Sequence, residues 1–320
     1  MPDRKKGKYD MKLFRNILYV VESTADQSSA IERTVMLATA HQAKLSVIEV
    51  IPPVTDDDRE AVTAFHTKAL ESLVAPYHHR LSIQSHVLPG TMFLEVIRFV
   101  LRDGYDLVIK PAQNPGFIKR LFGSDDKHLL RKCPCPVWIM KPPEKLRYDR
   151  ILAAVDFDPL NPSEAEYALN RSILEPAALL SLSDNASLHL VHAWEAYAER
   201  VMKELGYIPR ERVAAHDRSQ YLLHKKGLDH IKEMLRDIIG ADAYAQLSVS
   251  CHLPKGPAQK MIAEMAGDLQ ADLVVMGTVA RTGVPGFIIG NTAETIVDQL
   301  DCSLLAVKPP EFETPVKLIE

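Results

Sequence analysis

One pattern is written twice along this chain, and that duplication limits the fold more than any other feature. Phe14–Glu22 aligns with Tyr148–Asp156 at an offset of 134 residues. His86–Gly90 aligns with His252–Gly256, and Asp106–Ile109 with Asp272–Val275, both at 166. Gly123-Ser124 aligns with Gly290-Asn291, and Cys135–Pro143 with Cys302–Pro310, both at 167. A period this long excludes a solenoid and predicts two tandem domains, residues 1–143 and 144–320. The jump from 134 to 166 places about 30 extra residues in the second copy. They fall at roughly 195–245, where Leu228, Ile231, Leu235 and Ile238 are spaced as on a helix. In the first copy the acidic run Asp56, Asp57, Asp58 suits the N-terminus of the corresponding helix.

Each copy alternates short β-rich runs with amphipathic helices. Predicted strands are 16–21, 45–51, 82–88, 107–110 and 137–140, then 150–155, 187–193, 246–253, 273–276 and 304–307. Most are continuous apolar runs, as in parallel strands covered on both faces. The fold class is therefore α/β: two tandem doubly wound domains, each a five-stranded parallel sheet flanked by helices. Asn161, Pro162 and Glu164 read as cap, first residue and acidic third position of a helix. Lys141–Asp149, with Pro142-Pro143, reads as the linker.

Composition narrows the class. The 320 residues carry a net charge of -4 and 47% hydrophobic residues, which fits two globular cores and gives no basic balance for direct nucleic-acid binding. Charge is uneven: through Pro143 there are 20 Lys+Arg against 16 Asp+Glu, leaving 18 against 26 in the remainder. The halves thus differ in sign, +4 against -8, which would steer them toward each other or toward unlike ligands. No stretch reaches the ~18 apolar residues of a membrane helix, so no membrane insertion is expected. The basic start, Met1–Lys12, lacks an apolar segment behind it and reads as a solvated tail rather than a secretory signal. Four scattered cysteines make no disulfide framework, and a cytoplasmic location is expected.

Ligands of open parallel sheets bind beyond the strand carboxyl ends. In the second copy the fourth strand runs out into Gly277, Thr278, Ala280, Arg281 and Gly283, and Gly290-Asn291-Thr292 opens a helix. Backbone N–H groups at such a helix start form an anion site, to which Asn291, Thr292 and Arg281 add donors. Asp272–Lys308 resembles the signature of the universal stress protein family: Gly, two residues, Gly, nine residues, Gly, then Ser or Thr. The resemblance spans both copies, and the tandem layout, the "GNTAE" helix start and the insertion are most similar to the E-type subgroup. It implies an adenine nucleotide α-hydrolase-like fold and a role in surviving starvation, oxidative, envelope or DNA-damaging stress. It further implies ATP, with Mg, in the second domain, with Asp156 on the adenine side and Gly277 and Gly290 in the loop around the triphosphate. Two positions depart: Ala280 stands where the second glycine belongs, and Asn291 replaces Ser or Thr.

The first copy departs further. Pro111 and Pro115 remove N–H donors from its loop. Gly123-Ser124 persists, but Asp125 and Asp126 follow, and carboxylates in that first turn satisfy the anion site internally and repel phosphate. Lys110, Lys119, Arg120 and Lys127 leave the neighbourhood basic. Glu22, Gly123 and Ser124 are thus degenerate counterparts of the second-copy site, and ATP binding is lost there. Three readings stay open: a ligand-responsive regulator, a slow ATPase phosphorylating Thr278, Thr282 or Thr292, and a scaffold with both sites silent. His192, Cys251 and His252 are weak candidates for zinc, since adjacent strand residues point to opposite faces. No metal is expected, and Cys133-Pro-Cys135 reads as structural. The resemblance also implies that the last strands, Val137–Met140 and Leu304–Val307, pair within the chain, since single-domain members of the family often dimerise through that strand. Association of two chains as a homodimer stays open.

Overall fold

The fold is taken from a computed structural model, which describes residues 13–113, 124–195, 210–278 and 291–318. The first half contains β1 (Asn16–Val20), α1 (Ser28–His41), β2 (Lys44–Ile51), α2 (Asp56–Val74), β3 (Ile83–Pro89), α3 (Met92–Asp103), β4 (Leu107–Pro111), α4 (Ser124–Lys132) and β5 (Val137–Met140). The second half contains β6 (Arg150–Ala154), α5 (Glu164–Asp184), β7 (Ser187–Val191), α6 (Arg210–Ile239), α7 (Ala241–Tyr244), β8 (Ser248–His252), α8 (Ala258–Asp268), β9 (Leu273–Gly277), α9 (Asn291–Gln299) and β10 (Ser303–Val307). Every predicted strand is present, with ends shifted by a few residues. The long helix α6 lies in the inserted stretch between β7 and β8.

The ten strands among the described residues form one sheet, in the order β3-β2-β1-β4-β5-β10-β9-β6-β7-β8. Pairing is parallel within each half. At the centre β5 and β10 run antiparallel, with Leu304 opposite Ile139, Leu305 opposite Trp138 and Ala306 opposite Val137. The predicted pairing of the last strands therefore occurs within one chain and fuses two five-stranded sheets.

Alternation along the strands builds both faces of this sheet. Ile17 and Tyr19, with Ile151 and Ala153, join a core beneath α1, α2, α5 and α6. Leu18 and Val20, with Leu152 and Ala154, join a second core beneath α3, α4, α8 and α9. The start of α5 differs from the sequence expectation. Its cap is Ser163, which accepts from the Glu166 amide at 3.2 Å while Glu166 Oε2 accepts the Ser163 amide at 3.1 Å. Asn161 does not cap, because the Leu160 and Asn161 amides both turn back to Asp158 Oδ1.

Candidate functional site

The carboxyl ends of β1 and β4 hold the first candidate site. Glu22 follows β1, and its Oε1 accepts the Thr24 hydroxyl at 2.6 Å. Lys110, in β4, is buried at 1% exposure. Its Nζ lies 2.7 Å from Glu22 Oε2 and 2.9 Å from Asp126 Oδ1, and it donates to the Pro111 carbonyl at 3.0 Å. Asp126 belongs to the first turn of α4, is fully buried, and accepts the Gln113 amide at 3.1 Å. Burial alone would raise the Glu22 carboxyl, but the Lys110 ammonium and the Thr24 bonds hold it below the usual carboxylate range. A carboxylate of the chain itself thus stands in the first turn of α4, and an ammonium fills the space between strand ends and helix. The basic neighbourhood expected here is corrected in part. Lys110 is turned inward and paired with two carboxylates, and Lys127 pairs with Asp298 of the second half. Ser124 opens α4 and is exposed. Gly123, Lys119 and Arg120 lie outside the described residues.

The second half carries other residues at the same places. Matching register across the joint sets Met276 where the first half has Lys110. Ala293, in the first turn of α9, stands where the first half has Asp126. Met276 and Ala293 are both buried. Asp156, the counterpart of Glu22, has a side chain 55% exposed. Gly277 ends β9 against α5, where an added Cβ would meet Leu169 at 3.0 Å. Thr278 is buried, and its hydroxyl is turned into the joint between the halves, donating to the Leu130 carbonyl at 3.2 Å and contacting Lys308 Nζ. Lys308 also donates to Leu130 O, and burial lowers its amine to about 7. Thr292 is exposed at the start of α9. Asn291 is the first residue of that helix. Ala280, Arg281, Thr282 and Gly290 lie outside the described residues.

Beside Asp156 an imidazole pair closes the strand ends. His192 Nδ1 is 3.3 Å from the Val155 carbonyl and 4.0 Å from Asp156 Oδ1. His192 Nε2 is 2.9 Å from His224 Nδ1, carried by α6. Phe157 stacks on His192 with centroids 3.8 Å apart, and Trp194 lies 5.4 Å from the His224 ring. Helix α6 comes this close because of Gly227, where a Cβ would sit 2.2 Å from the Phe157 ring. In the first half His66 of α2 meets Glu49 of β2 at 3.0 Å, so there too the helix after the second strand is tied to that strand by an imidazole.

The model of the universal stress protein family matches residues 13–141 and again 147–308. The chain belongs to the universal stress protein family. Universal stress protein E of Escherichia coli K12 is 31% identical over 96% of this chain and 98% of its own length. The universal stress protein E homolog of Haemophilus influenzae is 28% identical over 92% and 98%. These matches span both copies, as the tandem E-type layout requires. Among solved structures, a functionally unknown protein of Pseudomonas aeruginosa PAO1 superposes with a TM-score of 0.65, at 25% identity over 94% of each chain. A universal stress protein of Archaeoglobus fulgidus, at 17% identity and a TM-score of 0.61 over 92% and 98%, shares the fold.

Within this universal stress protein fold the zinc candidates do not assemble. His192 pairs with His224, whereas His252 Nε2 pairs with His189 Nδ1 at 3.0 Å. Cys251 is exposed and has Lys232 and Asp229 as its charged neighbours. Among the described residues no group of three or more His, Cys, Asp or Glu side chains is placed to hold a metal. Cys133 and Cys135 are buried free thiols with sulfurs 3.6 Å apart. No helix among the described residues is long and apolar enough to cross a membrane. His224 and the inward role of Lys110 escaped the sequence reading. Gly227, a lone glycine in a helical run, was the available sign that α6 approaches something closely.

Proposed function

We propose that this universal stress protein is a cytoplasmic, ligand-responsive regulator of stress survival that binds one small anionic ligand, an adenine nucleotide, in its second domain. In this reading residues 1–143 form a closed partner domain and residues 144–320 the binding domain. The observation that carries it is the contrast between equivalent positions. Lys110, Glu22 and Asp126 fill the first cleft with an internal ion triad, whereas Met276 and Ala293 put neither ammonium nor carboxylate into the second.

An anion arriving at the second cleft would meet the N-terminal amides of α9, at Asn291 and Thr292, and Gly290, Ala280 and Arg281 of the preceding sequence would complete the site. Asp156 would accept from the amino group of the base at the other end. Because the Thr278 side chain is engaged in the joint, that residue would contribute its backbone. Mg would accompany a triphosphate. The test is calorimetric titration of the full chain with Mg-ATP, together with mass spectrometry of small molecules released from freshly purified protein. The parent should bind, and M276K/A293D, which transplants the first-half residues, should remove the heat, as should D156A in part. A parent that releases no nucleotide and gives no heat overturns the proposal.

A further inference from the structure

The joint between the halves has the geometry of a two-fold dimer interface made from unlike partners. Its strands cross with Trp138 opposite Leu305, and these residues are themselves counterparts at the 167-residue offset of the repeat. On one side of this seam α4 lies against α9. Lys127 pairs with Asp298, and Arg131 with Glu294. At the same offset Lys127 is the counterpart of Glu294, and Arg131 of Asp298. Each residue therefore faces the position that its own counterpart's neighbour would occupy in a pairing of like halves.

That arithmetic decides which partners fit. Were a first half to meet another first half by the same geometry, Lys127 would oppose Arg131 in both directions, and Trp138 would oppose Trp138. Were two second halves to meet, Glu294 would oppose Asp298, and Leu305 would oppose Leu305. Like charges placed this way repel, and two indoles overfill a space shaped for indole and isobutyl. Other ion pairs across the joint repeat the sense: Arg33 with Asp184 at 2.7 Å and Lys141 with Asp301 at 2.6 Å, the cation coming from the first half each time. Four cations of the first half thus meet four acids of the second at this joint.

We infer that the seam is a partner-selective surface: the β5–α4 face accepts the acidic β10–α9 face and rejects a second copy of itself. Two full-length variants of equal net charge test this. R131E/E294K exchanges one pair and preserves complementarity. R131E/D298K instead sets Lys127 against a second ammonium at position 298, and sets a carboxylate at position 131 against Glu294. By thermal unfolding at low ionic strength, R131E/D298K should melt about 3 °C below R131E/E294K, with the gap closing in about 1 M salt. Helix dipoles favour the opposite ranking, since they prefer an acid at 294 and a cation at 298, so they cannot create the gap. Failure of R131E/D298K alone to fold also supports the inference. Equal melting temperatures, a reversed order, or a gap that salt leaves untouched would overturn it.

Discussion

Changing Lys110 to Met probes the first-half triad most directly. The ammonium is 1% exposed and sits 2.7 and 2.9 Å from two carboxylates, one fully buried and one nearly so. At an effective dielectric of about 20, each contact is worth about 6 kcal/mol in gross attraction, most of it offset by desolvation. Removing the cation leaves the desolvation cost of Glu22 and Asp126 uncompensated. K110M should therefore lose about 3–5 kcal/mol at pH 7. Replacing the whole triad, as E22Q/K110M/D126A, should return to within about 1 kcal/mol of the parent, because no buried charge remains. The pH dependence has a definite sign. In the parent, Glu22 is held below its usual range, so its contribution is present above the unfolded pKa and disappears as pH falls through the folded value. In K110M only the Thr24 bonds oppose burial, the carboxyl titrates higher than in the parent, and the deficit should shrink on acidification. Urea unfolding of the three proteins at pH 7 and near pH 5 measures this. A K110M loss below about 1 kcal/mol, or a triple variant no better than K110M, would refute the reasoning.

Lys308 supplies a second case in which stability rises with pH, in a higher window. Its amine titrates at about 7 in the folded chain, whereas an unfolded lysine holds its proton to about 10.4, so the unfolded state binds the extra proton between these values. Parent stability relative to K308M should rise from pH 7 to pH 9 by up to about 1.4 kcal/mol per unit, read by urea unfolding at fixed ionic strength. A flat difference would place the amine outside its buried setting. Ser163→Ala should cost about 1 kcal/mol by removing the capping box of α5, measured in the same assay, while Asn161→Ala should cost little.

The strands were legible because each is a short apolar run bounded by loop residues, and the pairing of the last strands followed from the family resemblance. The α5 cap was misplaced by two residues: local rules favoured Asn161, but the Asx turn at Asp158 delays the helix. At the site, the carboxylate in the first turn of α4 was legible as an internal anion. The position of Lys110 was not, since a lysine at the end of a strand turns inward only where two carboxylates from distant segments converge. His224 was hidden for a related reason. It sits 32 residues from His192, on an inserted helix whose approach depends on a glycine fitting over Phe157. The charges at 127, 131, 294 and 298 could have been read, but only by comparing the two copies position by position.

The antiparallel seam between β5 and β10 has an evolutionary consequence. Because every other pairing is parallel, the strand carboxyl ends of the two halves point toward opposite rims of the shared sheet. A mutation that fills one cleft acts at the far rim from the other and need not disturb it. Duplication followed by this fusion therefore frees one copy from ligand-binding selection, provided it keeps its half of the joint. The first half, with a lysine in its cleft and four of its cations paired across the seam, has the form such a history would leave.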